Sequence, residues 1–225
     1  MSALLLAFEG IDGSGKGTQA GMLRDALTRE GKSCGLIAFP RYEATHFGRT
    51  IARYLNGEFG DLKTAGAHFA ALLYAGDRLE SLAFIEAERA ARDVLIFDRY
   101  VESNLAHQAA KLPTDQRGQF IDWLEAIEFC VYRLPQPHLV IYLDQPVSVA
   151  QQLIGRKAAR TYTAKAADLH EADTNYLTRT AEVYGQLARR SGNWQIVSGC
   201  VGHQLRSPAD VHEEILQHVR SRLLK

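Results

Sequence analysis

The sequence has few cysteines, and their placement excludes two common roles. Cys34, Cys130 and Cys200 lie far apart in a chain of 225 residues, and no C-x-x-C pair occurs. The cysteines therefore predict neither a zinc site nor a disulfide framework. Three separated thiols are typical of buried side chains in a protein of a reducing compartment.

The sequence also lacks net charge, because Lys plus Arg and Asp plus Glu both number 26. A neutral chain has no broad positive field that would hold a nucleic-acid backbone or an acidic membrane surface. We therefore expect no nucleic-acid partner and no membrane partner. Any functional arginines are expected to act locally, inside a pocket.

Long hydrophobic runs are missing as well. The first apolar run, residues 3–8, has no basic segment before it and is too short for a signal core or a membrane span. We therefore expect a cytoplasmic protein. With 46% hydrophobic residues the chain can bury a sizeable core, and its length fits a single domain over residues 1–225.

Five short apolar runs alternate with longer amphipathic stretches. The runs do not alternate between apolar and polar residues, which is typical of parallel strands covered on both faces. We predict strands at 3–8, 34–38, 94–97, 138–143 and 194–198. We predict helices at about 16–30, 44–56, 64–92, 101–110, 115–132, 146–157, 172–190 and 208–223.

A glycine-rich segment follows the first predicted strand. Residues 9–19 read EGIDGSGKGTQ, in which Gly10, Gly15 and Lys16 match the phosphate-loop pattern G-x-x-x-x-G-K. Glycines let successive backbone N–H groups converge on an anion, and the helix that follows adds its positive end. The next position usually carries Ser or Thr for a metal, but here it is Gly17, followed by Thr18.

Charged side chains follow the strand ends, where ligands of open parallel sheets bind. Asp98 ends the third strand and is a candidate Mg²⁺ ligand, or alternatively the partner of a nearby arginine or a helix cap. Arg99 comes next and suits a phosphate, because its guanidinium is planar and always charged. Asp12 stands inside the phosphate loop among groups that attract anions, so it needs a cation or a hydroxyl as its partner.

Two aromatic features could form walls for a planar ring. The second strand leads into the tetrapeptide FPRY, in which Phe39 and Tyr42 are the aromatic residues. Tyr74 and Arg78 are one helical turn apart, so one could stack on a base while the other holds a phosphate. Ordinary core packing is the alternative for both features.

Residues 155–171 combine basic and small residues without apolar periodicity, which suits a mobile lid over a charged ligand. Arg156, Lys157 and Arg160 could stabilise the charge on a phosphoryl group in transfer. A solvated basic loop is the alternative. Glu171 could hold the lid near the site, or it could cap the next helix.

Together these segments resemble the thymidylate kinase family, one of the nucleoside-monophosphate kinases. The resemblance rests on FEGIDGSGKGTQ, FPRY, LLYAGDRLE, DRYVESNLAHQ, IEFCVYRLPQPHLVIYLD and DLHE, which stand in family order between about residue 5 and residue 198. It implies an α/β fold of the P-loop NTPase type, a three-layer sandwich with a five-stranded parallel sheet, surrounding helices and a small lid. It also implies a homodimer that transfers a phosphoryl group from Mg·ATP to dTMP, giving dTDP and ADP.

The resemblance implies roles for residues at matching positions. ATP phosphates would bind to Asp12, Gly13, Ser14, Gly15, Lys16, Gly17 and Thr18, and Mg²⁺ would be served by Asp98, Thr18 and Asp12. The acceptor dTMP would contact Asp12, Phe39, Tyr42, Tyr74, Arg78, Arg99, Asn104, His107, His170 and Glu171. Catalysis would depend on Lys16, Arg99, Asp12 and the lid residues Arg156 and Arg160.

Several positions depart from the family pattern. Gly17 replaces the usual metal-binding hydroxyl, and Gly13 stands where some members carry a loop arginine. His107 stands where Tyr or Phe usually lies against the deoxyribose, His170 where an aromatic ring often covers the sugar, and Leu177 where a polar residue is common. We expect altered packing around the sugar rather than a new substrate class.

Two other functions are compatible with the phosphate loop. The run GKGTQ also occurs in adenylate-type kinases, so a kinase for another nucleotide or for a deoxynucleoside is the first alternative. A P-loop switch or regulatory module without turnover is the second, although its guanine-reading motif N-K-x-D is missing. The FPRY and DRY segments, with Tyr74 and Arg78, favour a pyrimidine monophosphate acceptor.

Overall fold

Five parallel strands form the central sheet of the computed structural model, which describes residues 3–59, 66–155, 173–202 and 204–223. Their order across the sheet is β2-β3-β1-β4-β5. The predicted strands are confirmed, each within one residue at either end. They are β1 (Leu4–Glu9), β2 (Cys34–Ala38), β3 (Val94–Asp98), β4 (Leu139–Asp144) and β5 (Trp194–Ser198).

Helices connect the strands on both faces of the sheet. They are α1 (Lys16–Arg29), α2 (His46–Leu55), α3 (Ala67–Glu80), α4 (Leu82–Ala91), α5 (Val101–Ala109), α6 (Thr114–Glu125), α7 (Val147–Ile154), α8 (Thr174–Arg190) and α9 (Pro208–Leu223). A short antiparallel hairpin, β6 (Cys200–Val201) and β7 (Gln204–Leu205), precedes α9 and was not predicted. Within the ranges given above, no helix combines the length and the apolar character needed to span a membrane.

The prediction of one continuous helix over 64–92 is wrong, because α3 and α4 meet at Ser81. Ser81 is fully buried, and its hydroxyl donates to the carbonyl of Asp77 (2.8 Å) while it accepts from the guanidinium of Arg41 (3.1 Å). A hydroxyl that bonds back to the preceding turn often bends a helix. The interruption therefore lies at a buried serine that bonds both to the preceding helical turn and to the distant Arg41.

Two other predicted elements differ from the structure. The helix predicted over 115–132 ends at Glu125 and continues as a π-helical segment, Ala126–Val131. Segments of this kind occur frequently at functional sites. The lid predicted at about 155–171 lies outside the described residues, except for Gly155.

The sheet separates two hydrophobic layers, because successive side chains of a strand point to opposite faces. Leu5 and Ala7 of β1 belong to a cluster with residues of α3 to α6 and α8. Leu6 and Phe8 belong to a second cluster with residues of α1 and α9. The structure is therefore a three-layer α/β sandwich.

The carboxyl ends of three neighbouring strands are level with one another. Phe8 of β1 and Ala38 of β2 both pair with Asp98 of β3. The segments that follow these strands consequently emerge at the same edge of the sheet, where such folds bind ligands. This edge carries the candidate active site.

Candidate active site

A cavity of about 430 Å³ opens at the carboxyl edge of the sheet, a size that suits a small-molecule ligand. The structure brings most of the predicted residues together here. Those that line the cavity are Asp12, Gly13, Gly15, Lys16, Gly17, Thr18, Phe39, Tyr42, Tyr74, Arg78, Asp98, Arg99, Asn104 and His107. Ser14 is not among the lining residues, and its hydroxyl lies 3.4 Å from the ammonium of Lys16. Arg156, Arg160, His170 and Glu171 fall outside the described residues.

Lys16 is turned onto the backbone of the phosphate loop. Its ammonium donates to the carbonyl oxygens of Gly10 (2.9 Å) and Ile11 (2.8 Å), and its side chain is buried. Burial, followed by the charge of Arg99, lowers the pKa of Lys16 to about 7, although the carboxylate of Asp12 opposes this shift. A phosphate anion would replace these neutral partners with a charged one, which binds an ammonium more strongly.

Two glycines of the loop tolerate side chains to different degrees. Gly13 has φ +84°, and a Cβ atom there would lie 2.2 Å from the backbone oxygen of Ala150 in α7. This position therefore has no room for the loop arginine of some family members. At Gly17 a Cβ atom would lie 2.9 Å from Oδ2 of Asp98, which is the movable end of a side chain.

Glu9 organises the turn between β3 and α5, and sequence analysis did not identify it. Its fully buried carboxylate accepts hydrogen bonds from the backbone N–H of Tyr100 (2.7 Å) and the hydroxyls of Ser103 (2.5 Å) and Tyr184 (2.8 Å). A buried carboxylate needs several such partners. The signal in the sequence was an acid at the end of the apolar run LLLAF.

Arg99 is held in a conformation that few residues adopt. Its φ of +67° lies in the left-handed region, which is uncommon for residues other than glycine and is often found at functional sites. Its guanidinium donates through Nη2 to Oδ1 of Asp12, which supplies the cation that Asp12 was predicted to need. Burial acts to lower the pKa of Arg99, but Asp12 offsets this effect and leaves that pKa raised.

Arg78 takes part in a dry ion pair that sequence analysis missed. Its Nε and Nη2 atoms donate to the two carboxylate oxygens of Glu128, and the two side chains are 3% and 0% exposed. Asn104 donates to the same carboxylate (2.9 Å) and to the carbonyl of Ala71 (2.9 Å). The sequence feature that could have revealed Glu128 is its place inside the apolar segment AIEFCV, because a buried acid requires a partner.

Asn104 also carries an unused acceptor. Its Oδ1 atom is buried and has no hydrogen-bond partner among the described residues. Gln108, one turn further along α5, has a buried Oε1 atom in the same situation, and both residues line the cavity. Unpaired buried acceptors are costly, so this wall favours a ligand that brings N–H or O–H donors.

Aromatic side chains also line the cavity. Phe39 is buried, with its ring centroid 6.3 Å from that of Phe97 and 6.1 Å from that of Tyr100. Tyr42 and Tyr74 are partly buried against a small apolar cluster between α2 and α3. These positions fit the predicted walls for a planar ring.

The loop after β2 is held in place by Asp77, another residue that sequence analysis missed. Its carboxylate accepts from the backbone N–H of Arg41 (2.9 Å) and from the hydroxyl of Thr45. The same hydroxyl accepts from the N–H of Gly48 and so caps α2. The wall that carries Phe39 and Tyr42 is thereby tied to α3.

Oxygen donors suitable for Mg²⁺ lie beside the start of α1. Asp98 and Thr18 both line the cavity, and Oδ2 of Asp98 occupies the space next to Gly17 where a side chain would otherwise stand. Among the described residues no group of three or more His, Cys, Asp or Glu side chains could hold a metal alone. The two oxygen donors Asp98 and Thr18 fit a cation that takes most of its ligands from phosphates and water, as Mg²⁺ commonly does.

Comparisons with known proteins identify the family of this chain. The family model described as thymidylate kinase matches residues 8–215. Thymidylate kinase of Mycobacterium tuberculosis is 35% identical over 203 residues, which cover 88% of this chain and 92% of that protein. A probable thymidylate kinase of Thermococcus onnurineus is 33% identical and covers 99% of this chain and 100% of its own length.

A solved structure supports the fold independently of close sequence similarity. Thymidylate kinase from Candida albicans superposes with a TM-score of 0.75 at 23% identity, over 98% of this chain and 92% of that one. The parallel sheet and the helices around it thus form a known architecture. The extent of the family match and the two relatives above 30% identity establish that the chain belongs to the thymidylate kinase family.

Proposed function

We propose that this protein transfers the γ-phosphoryl group of ATP to dTMP, giving dTDP and ADP. The observation that carries the proposal is the meeting of Lys16, Arg99 and Arg78 around one cavity, with the phosphate loop at its edge. Three cations around one pocket suit two phosphate-bearing ligands. The family membership supports the same substrates.

The donor end consists of the phosphate loop and the start of α1. Gly15 is the N-cap residue and has no side chain to satisfy the first N–H groups, so these groups can bind an anion. Lys16 would move from the loop carbonyls to the outer phosphates of ATP. Asp98 and Thr18, with Asp12, would hold Mg²⁺, which when bound neutralises charge on the phosphate oxygens.

The acceptor end uses side chains from α3, α5 and the turn after β3. Arg99 and Arg78 would hold the acceptor phosphate and the thymine side of dTMP, and Tyr74 would stack on the base between the walls formed by Phe39 and Tyr42. The free Oδ1 of Asn104 suits the one N–H donor of thymine. His107, and His170 and Glu171 of the proposed lid, would cover the sugar.

The transfer itself needs alignment and charge neutralisation more than covalent help from the protein. An oxygen of the acceptor phosphate forms a bond to the γ-phosphorus, and the bond from that phosphorus to the β,γ-bridging oxygen breaks. ADP leaves with the electron pair of the broken bond. Arg99 would balance the charge on the acceptor oxygen, and Arg156 or Arg160 of the proposed lid would balance charge on the transferring group.

A coupled assay of ADP release over dTMP, dUMP, UMP, AMP and thymidine tests the proposal. We expect dTMP to give the highest kcat/KM. A higher value for AMP or for the nucleoside would favour one of the alternative kinases. Tight ATP binding without ADP release for any acceptor would favour the module without turnover.

We further propose that the protein works as a homodimer in the cytoplasm, with one kinase domain over residues 1–225 and a lid at about 155–171. The dimer proposal is supported by Phe69, Leu72 and Leu79, which form an exposed apolar stripe along α3. Stripes of this kind mark protein contacts. Light scattering should show a dimer that Leu72→Glu converts to a monomer, and a monomeric parent chain would overturn the proposal.

A further inference from the structure

A second cavity, also of about 430 Å³, is lined by residues of α5, α6, the π-helical segment, α8 and the start of β5. Within the described part of the chain, it shares no lining residue with the cavity at the carboxyl edge of the sheet, the active-site cavity. Its volume suits a small organic molecule. The phosphoryl transfer proposed above uses none of its residues, so the cavity needs an explanation of its own.

Glu102, in the first turn of α5, lines this second cavity although it is only 6% exposed. Its Oε2 atom is buried and has no hydrogen-bond partner among the described residues. A buried polar atom without a partner costs free energy, which a ligand that supplies the partner would recover. A carboxylate can only accept hydrogen bonds, so the missing partner is a donor.

The lining of the second cavity carries more negative than positive charge. Among the described lining residues the acids are Glu102, Asp122 and Glu125, and the base is Arg190. Nη2 of Arg190 lies 2.8 Å from the carboxylate of Asp122 and 3.9 Å from that of Glu125. The one lining base therefore already serves the two more exposed acids, and the balance of charge favours a cationic ligand over an anionic one.

Apolar side chains make up much of the remaining lining. Phe129 and Trp194 are partly buried against the main core, and Leu105 and Leu187 are buried. Aromatic rings attract organic cations, and aliphatic side chains accommodate hydrocarbon. A bare metal ion fits less well, because in the described ranges no group of three or more His, Cys, Asp or Glu side chains could hold one.

We propose that the second cavity is a separate ligand site for a small organic ammonium ion with an apolar body, and that Glu102 pairs with the ammonium group. The ammonium supplies both the hydrogen-bond donor and the positive charge that Glu102 lacks. The site does not depend on the proposed kinase function, so its test requires neither nucleotide nor turnover.

The protonation of Glu102 provides a signature of this pairing. Burial, followed by the charge of Glu9 on β1, raises the pKa of Glu102 to about 8; Glu128 of the π-helical segment adds to the rise, and Arg78 of α3 opposes it. The carboxyl group is therefore mostly protonated in the free protein at pH 7. An ammonium ion beside it favours the ionised form. Binding at pH 7 should consequently release about one proton.

Three probes test the class of ligand, namely phenethylammonium, phenethyl alcohol and phenylpropanoate. They share a phenyl ring on a short chain and differ in charge. We expect calorimetric titration to show that the ammonium ion binds about tenfold more tightly than the alcohol, because hydrogen bonds between charged groups are the stronger ones. Equal affinities for the ammonium ion and the alcohol, tighter binding of the anion, or no binding of the ammonium ion would overturn the proposal.

The two tryptophans locate the bound probe. Trp194 lines the second cavity, whereas Trp123 packs against His68 and Phe120. In the ¹⁵N-labelled protein, phenethylammonium should shift the indole signal of Trp194 more than that of Trp123, and Trp123→Phe assigns the two signals. An equal or larger shift at Trp123 would show that the probe binds elsewhere and would overturn the proposal.

Glu102→Gln tests the residue itself, because it removes the charge with little change in shape. We expect about tenfold weaker binding of phenethylammonium and no proton release, measured by calorimetry in buffers of different ionisation enthalpy. Glu125→Gln is the matched control, since it removes a more exposed acid from the same lining, and it should retain the proton release. Proton release that persists in Glu102→Gln, or equal losses of affinity in the two variants, would overturn the role of Glu102.

Discussion

The two arginines of the active-site cavity differ in how far their ion pairs are exposed to solvent. Arg99, beside the phosphate loop, is 19% exposed and pairs with Asp12, which is 15% exposed. Arg78, on α3, is 3% exposed and pairs with the fully buried Glu128. Breaking a buried pair leaves an uncompensated charge in the interior, whereas a partly hydrated pair can exchange partners more easily. We propose from this comparison that Arg99 serves the reaction directly, while Arg78 also supports the fold.

Replacement of Arg99 should have the largest effect on activity. We expect Arg99→Ala to lower kcat/KM for dTMP by about a thousandfold, because arginines that neutralise charge in phosphoryl transfer contribute that much or more. ATP affinity should change little, since the phosphate loop is intact. Steady-state kinetics and calorimetric titration with a non-hydrolysable ATP analogue measure the two quantities.

Arg89→Ala is the control for this variant, because Arg89 lies on the surface of α4 and pairs with Glu86. If the activity of Arg99→Ala were close to that of the control, the proposal that Arg99 serves the reaction directly would be wrong. A large loss of ATP affinity would show instead that the substitution disturbs the phosphate loop.

Replacement of Glu128 should have the largest effect on stability. We expect Glu128→Gln to lower the free energy of unfolding by about 3–5 kcal/mol, because the charge of Arg78 would remain buried without its carboxylate. Urea denaturation followed by circular dichroism measures the loss. The matched control is Glu125→Gln, which removes a 39%-exposed carboxylate just before the π-helical segment. Similar losses of unfolding free energy in the two variants would contradict the expectation that the buried carboxylate of Glu128 contributes more to stability than the exposed one of Glu125.

Alanine substitutions at Gly13 and Gly17 should show which of the two positions is limited by rigid backbone and which by a movable side chain. Gly13→Ala should destabilise the protein by roughly 2 kcal/mol or more, from its positive φ and its contact with a backbone oxygen. Gly17→Ala should cost much less, because only the carboxylate of Asp98 has to move. Thermal denaturation of both variants gives the ranking, and the reverse order would contradict the loop geometry.

The smallest expected effect is a proton taken up by Lys16. Its pKa of about 7 in the free protein means that it is mostly neutral at pH 8, and an adjacent phosphate should raise that pKa. Nucleotide binding at pH 8 should therefore take up about one proton, and binding at pH 6 almost none. Titration calorimetry with ADP in buffers of different ionisation enthalpy measures the uptake. Lys16→Met should abolish it, and an uptake that persists in this variant would identify another group.

Local patterns predicted most of the architecture. The strand β2 was predicted at its observed bounds from the run CGLIA, and α1 from the residues that follow the phosphate loop. These elements depend on neighbours in the chain, so composition and spacing carry the information. The single helix predicted over 64–92 was wrong, and the break lies at Ser81. The hydroxyl of Ser81 accepts a hydrogen bond from Arg41, forty positions away, and no local pattern records that contact.

The residues of the site divide in the same way, into those that local sequence predicted and those that only tertiary contacts reveal. Lys16, Asp98 and Arg99 were predicted because each stands at a fixed offset from a strand end. Glu9 and Glu128 were missed, since their importance comes only from groups that the fold brings to them.

The sequence by itself determined the parallel sheet, the phosphate loop and the family, because each depends on residue spacing along a few consecutive positions. Only the tertiary structure decided which charges pair in the buried interior and which acceptors stay open to a ligand. The physical reason is that burial and hydrogen bonding depend on all neighbours in space, and most of those neighbours are distant in the chain.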